Sequence, residues 1–166
     1  MGQPASPPTY SLVDVPPRAI VIHCSDPRFQ KAFGDFIRTD LGLGDGEYVP
    51  LVISGGVASL SEPLKLPKEF KFMKERIELF LERFDSIKRI ILINHEDCRH
   101  YDQLRSVLGR LFLQRVQSMG EKQANDLKTV AKLLLDYAVP GLQVELYYAR
   151  LCPGNPRSVQ FEKISL

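Results

Sequence analysis

The chain has 166 residues, of which 44% are hydrophobic and 25% charged, with a formal net charge of +2 at pH 7. That length suits one domain, which buries roughly 68–70% of its unfolded surface and needs no disulfide staples. The balanced charge, with Lys and Arg scattered among acids, argues against a nucleic-acid partner, and no stretch nears the roughly 18 apolar residues of a membrane helix.

Three cysteines is an odd number, which disfavours a disulfide framework. The segment from Met1 to Pro17 lacks the basic start and apolar run of a signal peptide. The expectation is a cytoplasmic protein with reduced thiols.

Taken in chain order, residues 1–17 carry Pro4, Pro7, Pro8, Pro16 and Pro17 and read as an extended arm, loose or wrapped on a partner. Ala19-Ile20-Val21-Ile22 is an apolar run that suits a strand buried on both faces, and it ends in His23-Cys24-Ser25-Asp26-Pro27-Arg28. Apolar spacing through Phe33, Phe36, Ile37 and Leu41 predicts a helix over 30–41, stopped by Gly42. Gly42, Gly44 and Gly46 follow a helix and precede a strand, the reverse of a dinucleotide fingerprint, so they form a turn.

Tyr48 to Ile53 is a second strand, placed at a sheet edge because Pro50 cannot donate to a ladder. Ser54-Gly55-Gly56 is a turn, and a loop spans 59–67. A helix over 68–85 puts Phe70, Met73, Ile77, Phe80, Leu81 and Phe84 on one core-facing stripe. Arg89 to Asn94 is the second doubly buried strand, ending in His95-Glu96-Asp97-Cys98.

A helical region over 102–137 follows. One stripe runs through Leu104, Val107, Leu108, Leu111, Phe112 and Val116, another through Leu127, Val130, Ala131, Leu134 and Leu135, with a break at Gly120. Leu142 to Tyr148 alternates like a half-exposed edge strand, and a turn at 153–156 leads to a short last strand over 159–164.

Strands alternating with helices predict an α/β fold. Its sheet would be a central parallel one of four strands in the order 2-1-3-4, with a short C-terminal edge strand and helices on both faces. Residues 18–166 form a single domain beside the arm. The order reverses between strands 1 and 3, where open sheets bind ligands beyond the strands' carboxyl ends.

Cys24 and His95 directly follow those two strands, and Cys98 turns back toward the same point. Two thiolates and an imidazole suit tetrahedral zinc, with a fourth position open as in catalytic sites. The alternative is metal-free: a cysteine after a strand is commonly a small buried hydrophobe, and His-x-x-Cys recurs by chance. The conjunction at adjacent strand ends favours the metal.

Cys24-Ser25-Asp26-Pro27-Arg28 resembles the Cys-x-Asp-x-Arg motif of β-class carbonic anhydrases, and His95-Glu96-Asp97-Cys98 their His-x-x-Cys motif. Gly44-Asp45 before Tyr48-Val49 resembles the approach to the family's second strand, and the likeness spans about residues 18–164. The resemblance implies Zn2+ held by Cys24, His95 and Cys98, with Asp26 and Arg28 as a catalytic dyad. It implies interconversion of carbon dioxide and bicarbonate by zinc-bound hydroxide, in a homodimer or larger homo-oligomer. In a closed state Asp26 would become the fourth ligand.

Two features depart from the family pattern. Arg99 stands where a glycine usually follows the second cysteine, and would narrow the crevice or bind an anion. Ser54-Gly55-Gly56 replaces a more polar Arg-Asn-Ala-Gly-Asn turn. These leave two other readings open: a non-catalytic zinc-binding relative that binds an anion or a partner, and a hydrolase of carbonyl sulfide or carbon disulfide. His23 is expected in the sheet packing, His100 at the exposed surface, and Cys152 as a free thiol. Glu96 and Asp97 are either solvated or orient His95.

Overall fold

The structure, a computed structural model, describes residues 7–108, 118–137 and 139–166. In chain order the elements are β1 (Ala19–Cys24), α1 (Gln30–Thr39), β2 (Tyr48–Ile53), α2 (Ala58–Ser61), α3 (Pro67–Arg83), β3 (Arg89–His95), α4 (Arg99–Leu108), α5 (Met119–Leu135), β4 (Gln143–Cys152) and β5 (Asn155–Ile164).

The described strands form one five-stranded sheet in the order β2-β1-β3-β4-β5. β1 pairs in parallel with β2 and β3, β3 pairs in parallel with β4, and β5 returns antiparallel to β4. This is the expected α/β architecture, and both strands read as doubly buried lie inside the sheet.

Their sequences explain why. Successive side chains of a strand point to opposite faces, and in β1 and β3 both faces are apolar. Ile20, Ile22, Ile90 and Leu92 enter a core with Leu60, Met73, Ile77, Leu127, Val130, Ala131 and Leu134 from α2, α3 and α5. Ala19, Val21, Ile91 and Ile93 enter a second core with Phe29 and with Phe33, Phe36 and Ile37 of α1. A continuous Ile/Val/Leu run is what such a sandwiched parallel strand needs. β2 is an edge, as Pro50 requires, with Pro50 and Val52 exposed.

Within α3, Met73 and Ile77 are fully buried while Phe70, Phe80, Leu81 and Phe84 pack partly buried around them. Lys71–Glu75 and Lys74–Glu78 form ion pairs one turn apart. Ser118 caps α5 through a reciprocal capping box with Glu121, so the helix begins just before the expected break and takes Gly120 into its first turn. The stripe expected from Leu104 to Val116 lies outside the residues whose side chains are described, as do Met1 and Pro4 of the arm.

Three expectations need correction. β4 is interior rather than an edge, because β5, ten residues long instead of about six, pairs with it from Leu146 to Cys152. The alternation that suggested a solvent face came from Glu145. That carboxylate instead receives Arg89 Nε at 2.6 Å and the Tyr147 hydroxyl at 2.9 Å. The loop over 59–67 also contains the single-turn α2, whose Ala58, Ser59 and Leu60 are buried.

Residues 7–18 form no regular element, but their end is fastened. Pro17 is buried and its carbonyl accepts from Ser86 Oγ at 2.8 Å. Val13 and Val15 lie over Gly46, where an added Cβ would stand 2.9 Å from Val13 Cγ1. No helix among the described residues is long and apolar enough to cross a membrane.

Burial opposes ionisation of Glu145, but the bonds from Arg89 and Tyr147 outweigh it and hold its carboxyl below the ordinary range. A depressed carboxylate stabilises the fold above its unfolded pKa, and that contribution fades as pH falls through the folded value. Replacing Glu145 by Gln therefore lowers stability at pH 7. Urea unfolding at several pH values should show the gap between the two proteins closing below about pH 4.

Candidate metal centre

Parallel pairing of β1 with β3 puts His23 opposite Ile93, so Cys24 and His95 leave the sheet at the same end. Cys98 directly precedes α4 and folds back to them. The donor atoms of Cys24, His95 and Cys98 all lie within 4.8 Å of one another. The two sulfurs are 3.9 Å apart. All three residues are at most 3% exposed, so bulk water does not reach the cluster.

Each donor is prepared by its surroundings. Cys24 Sγ accepts the Gly55 backbone N–H at 3.3 Å. Cys98 stands immediately before the first turn of α4. Such donors, and the positive end of a helix, favour thiolate over thiol. His95 Nδ1 lies 2.8 Å from the Glu96 carbonyl oxygen. A carbonyl only accepts, so the proton sits on Nδ1 and Nε2 keeps its lone pair.

That Nε2 is buried and has no hydrogen-bond partner. Buried polar atoms are almost always partnered. A bare imidazole nitrogen beside two sulfurs lacks the one partner that suits all three, a borderline-soft cation such as zinc. The donor set therefore fits the metal that the sequence motif implied. Without a cation the two thiols compete for a single charge. A hydrogen bond from Cys98, helped by the Gly55 N–H, outweighs burial and brings Cys24 to about 4. The negative charge on Cys24 and burial push Cys98 far up.

Asp26 and Arg28 lie at the rim. Arg28 grips the Asp26 carboxylate with Nη2 at 2.7 Å from Oδ2 and Nε at 3.1 Å from Oδ1, while its backbone N–H reaches Oδ1 at 3.0 Å. Those bonds from Arg28 hold Asp26 below the usual carboxylate range against partial burial. Asp26 is thus engaged with Arg28 and is not part of the three-residue cluster.

The structure gives Asp97 a role the sequence reading did not assign. Asp97 accepts Arg28 Nη1 on its carboxylate at 2.6 Å and Nη2 on its carbonyl at 2.8 Å, which ties the loop after β1 to the loop after β3. Among the described residues it is the non-glycine residue with a positive φ, +56°, a conformation Asp tolerates better than most. Only its position inside the His-x-x-Cys motif hinted at this. Neither acid of that motif orients His95 with its side chain. The Glu96 backbone carbonyl does so, while the Glu96 carboxylate accepts the Leu151 N–H at 2.9 Å. Phe29 covers the His95 ring, with centroids 4.1 Å apart.

His23 is buried against Phe33 and donates from Nδ1 to the Cys24 carbonyl, as its place in the sheet packing predicts. Cys152 is a half-buried free thiol and Arg99 is solvent-exposed. His100 is not an exposed surface histidine. Its ring lies on Gly55, and its Nε2 is buried.

No family model matches the sequence, and no curated protein matches it. The fold does have solved counterparts. Tetrameric β-carbonic anhydrases from the filamentous ascomycete Sordaria macrospora align over 90% of this chain and 81% of theirs, at 13% identity and a TM-score of 0.52. The β-carbonic anhydrase isoform I of Trichomonas vaginalis aligns over 94% of this chain and 87% of its own, at 11% identity and a TM-score of 0.51. The chain has a divergent β-carbonic-anhydrase-like fold; at such identities the likeness is one of fold. Within it, Cys24, His95 and Cys98 form a cluster that could hold a metal.

Protein purified without chelator or a metal-binding tag is expected to carry about one zinc per chain by elemental analysis. Replacing Cys98 by Ser should weaken zinc retention by at least about 100-fold in chelator competition, since a thiolate ligand of the closed set is lost.

Proposed function

We propose that the chain is a zinc-dependent lyase that interconverts carbon dioxide and bicarbonate, with Cys24, His95 and Cys98 as the metal ligands. The observation that carries this reading is the unpartnered, buried Nε2 of His95 beside two thiols, within a fold shared with carbonic anhydrases. Zinc bound there would act as a Lewis acid, lowering the pKa of a coordinated water from about 15.7 toward 7.

The chain's own groups supply the rest. The Asp26 carboxylate accepts a hydrogen bond from the attacking oxygen and so aims that oxygen's lone pair at the substrate carbon. Arg28 keeps Asp26 ionised and fixed by two-pronged contact, which is stronger and more directional than a single bond. Asp97 holds Arg28 from the opposite loop, so the dyad keeps its place relative to Cys98. The Gly55 N–H on Cys24 Sγ and the N-terminal end of α4 behind Cys98 favour thiolate character. Phe29 shields His95 from water. The reaction consumes one water and releases one proton with each bicarbonate.

On this reading the chain works as a homo-oligomer in the cytoplasm, with residues 1–17 as an arm beside a single domain from residue 18. Tetramers are described for the Sordaria proteins. One observation favours a second reading, a non-catalytic zinc protein: all three ligands are nearly inaccessible, as in structural zinc sites. A hydrolase of carbonyl sulfide or carbon disulfide would use the same groups on a different carbon.

Stopped-flow hydration of carbon dioxide decides among them. Replacing Asp26 by Asn should lower kcat/KM by at least about 100-fold while zinc stays at one per chain, a loss of about 2.7 kcal/mol of transition-state stabilisation. Full activity in that variant would refute the role of Asp26. A zinc-loaded wild type with no turnover across a broad pH range would establish the non-catalytic reading.

A further inference from the structure

His100 was expected at the exposed surface and is instead half-buried. Its ring packs against Gly55, where an added Cβ would come within 2.8 Å of the His100 Cγ and 3.0 Å of its Nε2. Gly55 has φ +78°, a conformation that also requires glycine. Glycine at position 55 is therefore what lets an imidazole occupy this place. Ser54 Oγ lies 3.4 Å from Nδ1 of the same ring. Nε2 is shielded from solvent and has no hydrogen-bond partner.

The residue is tied to the centre through the chain and through Gly55. It follows Cys98 by two residues. The glycine beneath its ring donates to Cys24 Sγ at 3.3 Å. A shielded, unpartnered ring nitrogen packed on the glycine that serves Cys24 can take a ligand, because an unmade buried hydrogen bond is costly.

We propose that His100 is a substrate-binding residue of the metal centre, and that its Nε2–H donates a hydrogen bond to a small anion such as bicarbonate held there. The Ser54 hydroxyl donates to Nδ1, which leaves the ring proton on Nε2. Gly55 provides the space, so Ser54, Gly55 and His100 act as one unit. Sequence reading saw only a shortened, less polar turn. The structure places a histidine over that turn as the polar group.

This inference rests on the metal-centre reading above, and the test separates the two. Co2+-loaded protein is titrated with azide and with bicarbonate, and binding is read from the visible spectrum of the cobalt. Three variants are compared at equal cobalt content. His100→Phe keeps a ring over Gly55 but has no nitrogen. His100→Asn places its amide near the Nδ1 position, and His100→Gln near the Nε2 position.

The Phe and Asn variants should bind both anions about tenfold more weakly, the scale of one hydrogen bond to a charged acceptor. The Gln variant should stay within about threefold of wild type. Anion affinity unchanged in the Phe variant would overturn the proposal, as would a Gln variant as weak as the Phe one. A chain that takes up neither cobalt nor zinc would overturn the metal-centre reading and this one together. A loaded chain whose Phe variant binds azide normally would overturn only this one.

Discussion

Everything at the centre depends on the lateral pairing of β1 with β3. The two strands run in parallel with Ala19 beside Arg89. Two residues that share no sequence neighbourhood therefore leave the sheet at one level. A slip of one residue would turn every side chain of the strand to the other face. It would exchange Ile20 and Ile22 for Val21 and His23 in the core shared with α3 and α5. The apolar packing that fixes the register of the strands thereby fixes the spacing of the cluster.

Around that frame the site settles a conflict between burial and charge. Thiolates are costly to remove from water, and these sit in residues almost wholly covered. For Cys24 the compensation comes from the Gly55 N–H, and Cys98 sits at the N-terminal end of α4. A second network at the rim sets Arg28 between two carboxylates and a carbonyl. The Asp26 carboxylate remains with Arg28. On the proposed reading, one group of residues would hold a cation while the other handles a proton.

Much of this was legible in the sequence, for identifiable reasons. Ile20-Val21-Ile22 and Ile90-Ile91-Leu92-Ile93 admit few interpretations other than doubly buried strands, and their ends named Cys24 and His95 directly. Pro50 placed β2 at an edge by chemistry alone. The failures have a common cause, which is that a polar residue was read as solvent-facing when it was paired. Glu145 made β4 look like an edge, although Arg89 lies 56 residues away in the chain. Asp97 looked solvated because its partner Arg28 is 69 residues distant. His100 looked exposed because nothing in a Ser-Gly-Gly turn announces that its middle residue will carry a ring. Local patterns report burial well, and they do not report who pairs with whom.

The stitching of the loop after β3 has a kinetic consequence. The Glu96 N–H is bonded to the Ala149 carbonyl, and the Glu96 carboxylate to the Leu151 N–H, both on β4. The segment carrying His95 and Cys98 is thus anchored to an interior strand before any ion arrives. A metal meets a cage already assembled, so little ordering entropy remains to be lost on binding. On the proposed reading, how tightly an ion is held and how quickly it is exchanged become separate properties, the first set by two sulfurs and a nitrogen, the second by the two hydrogen bonds that fasten this loop to β4.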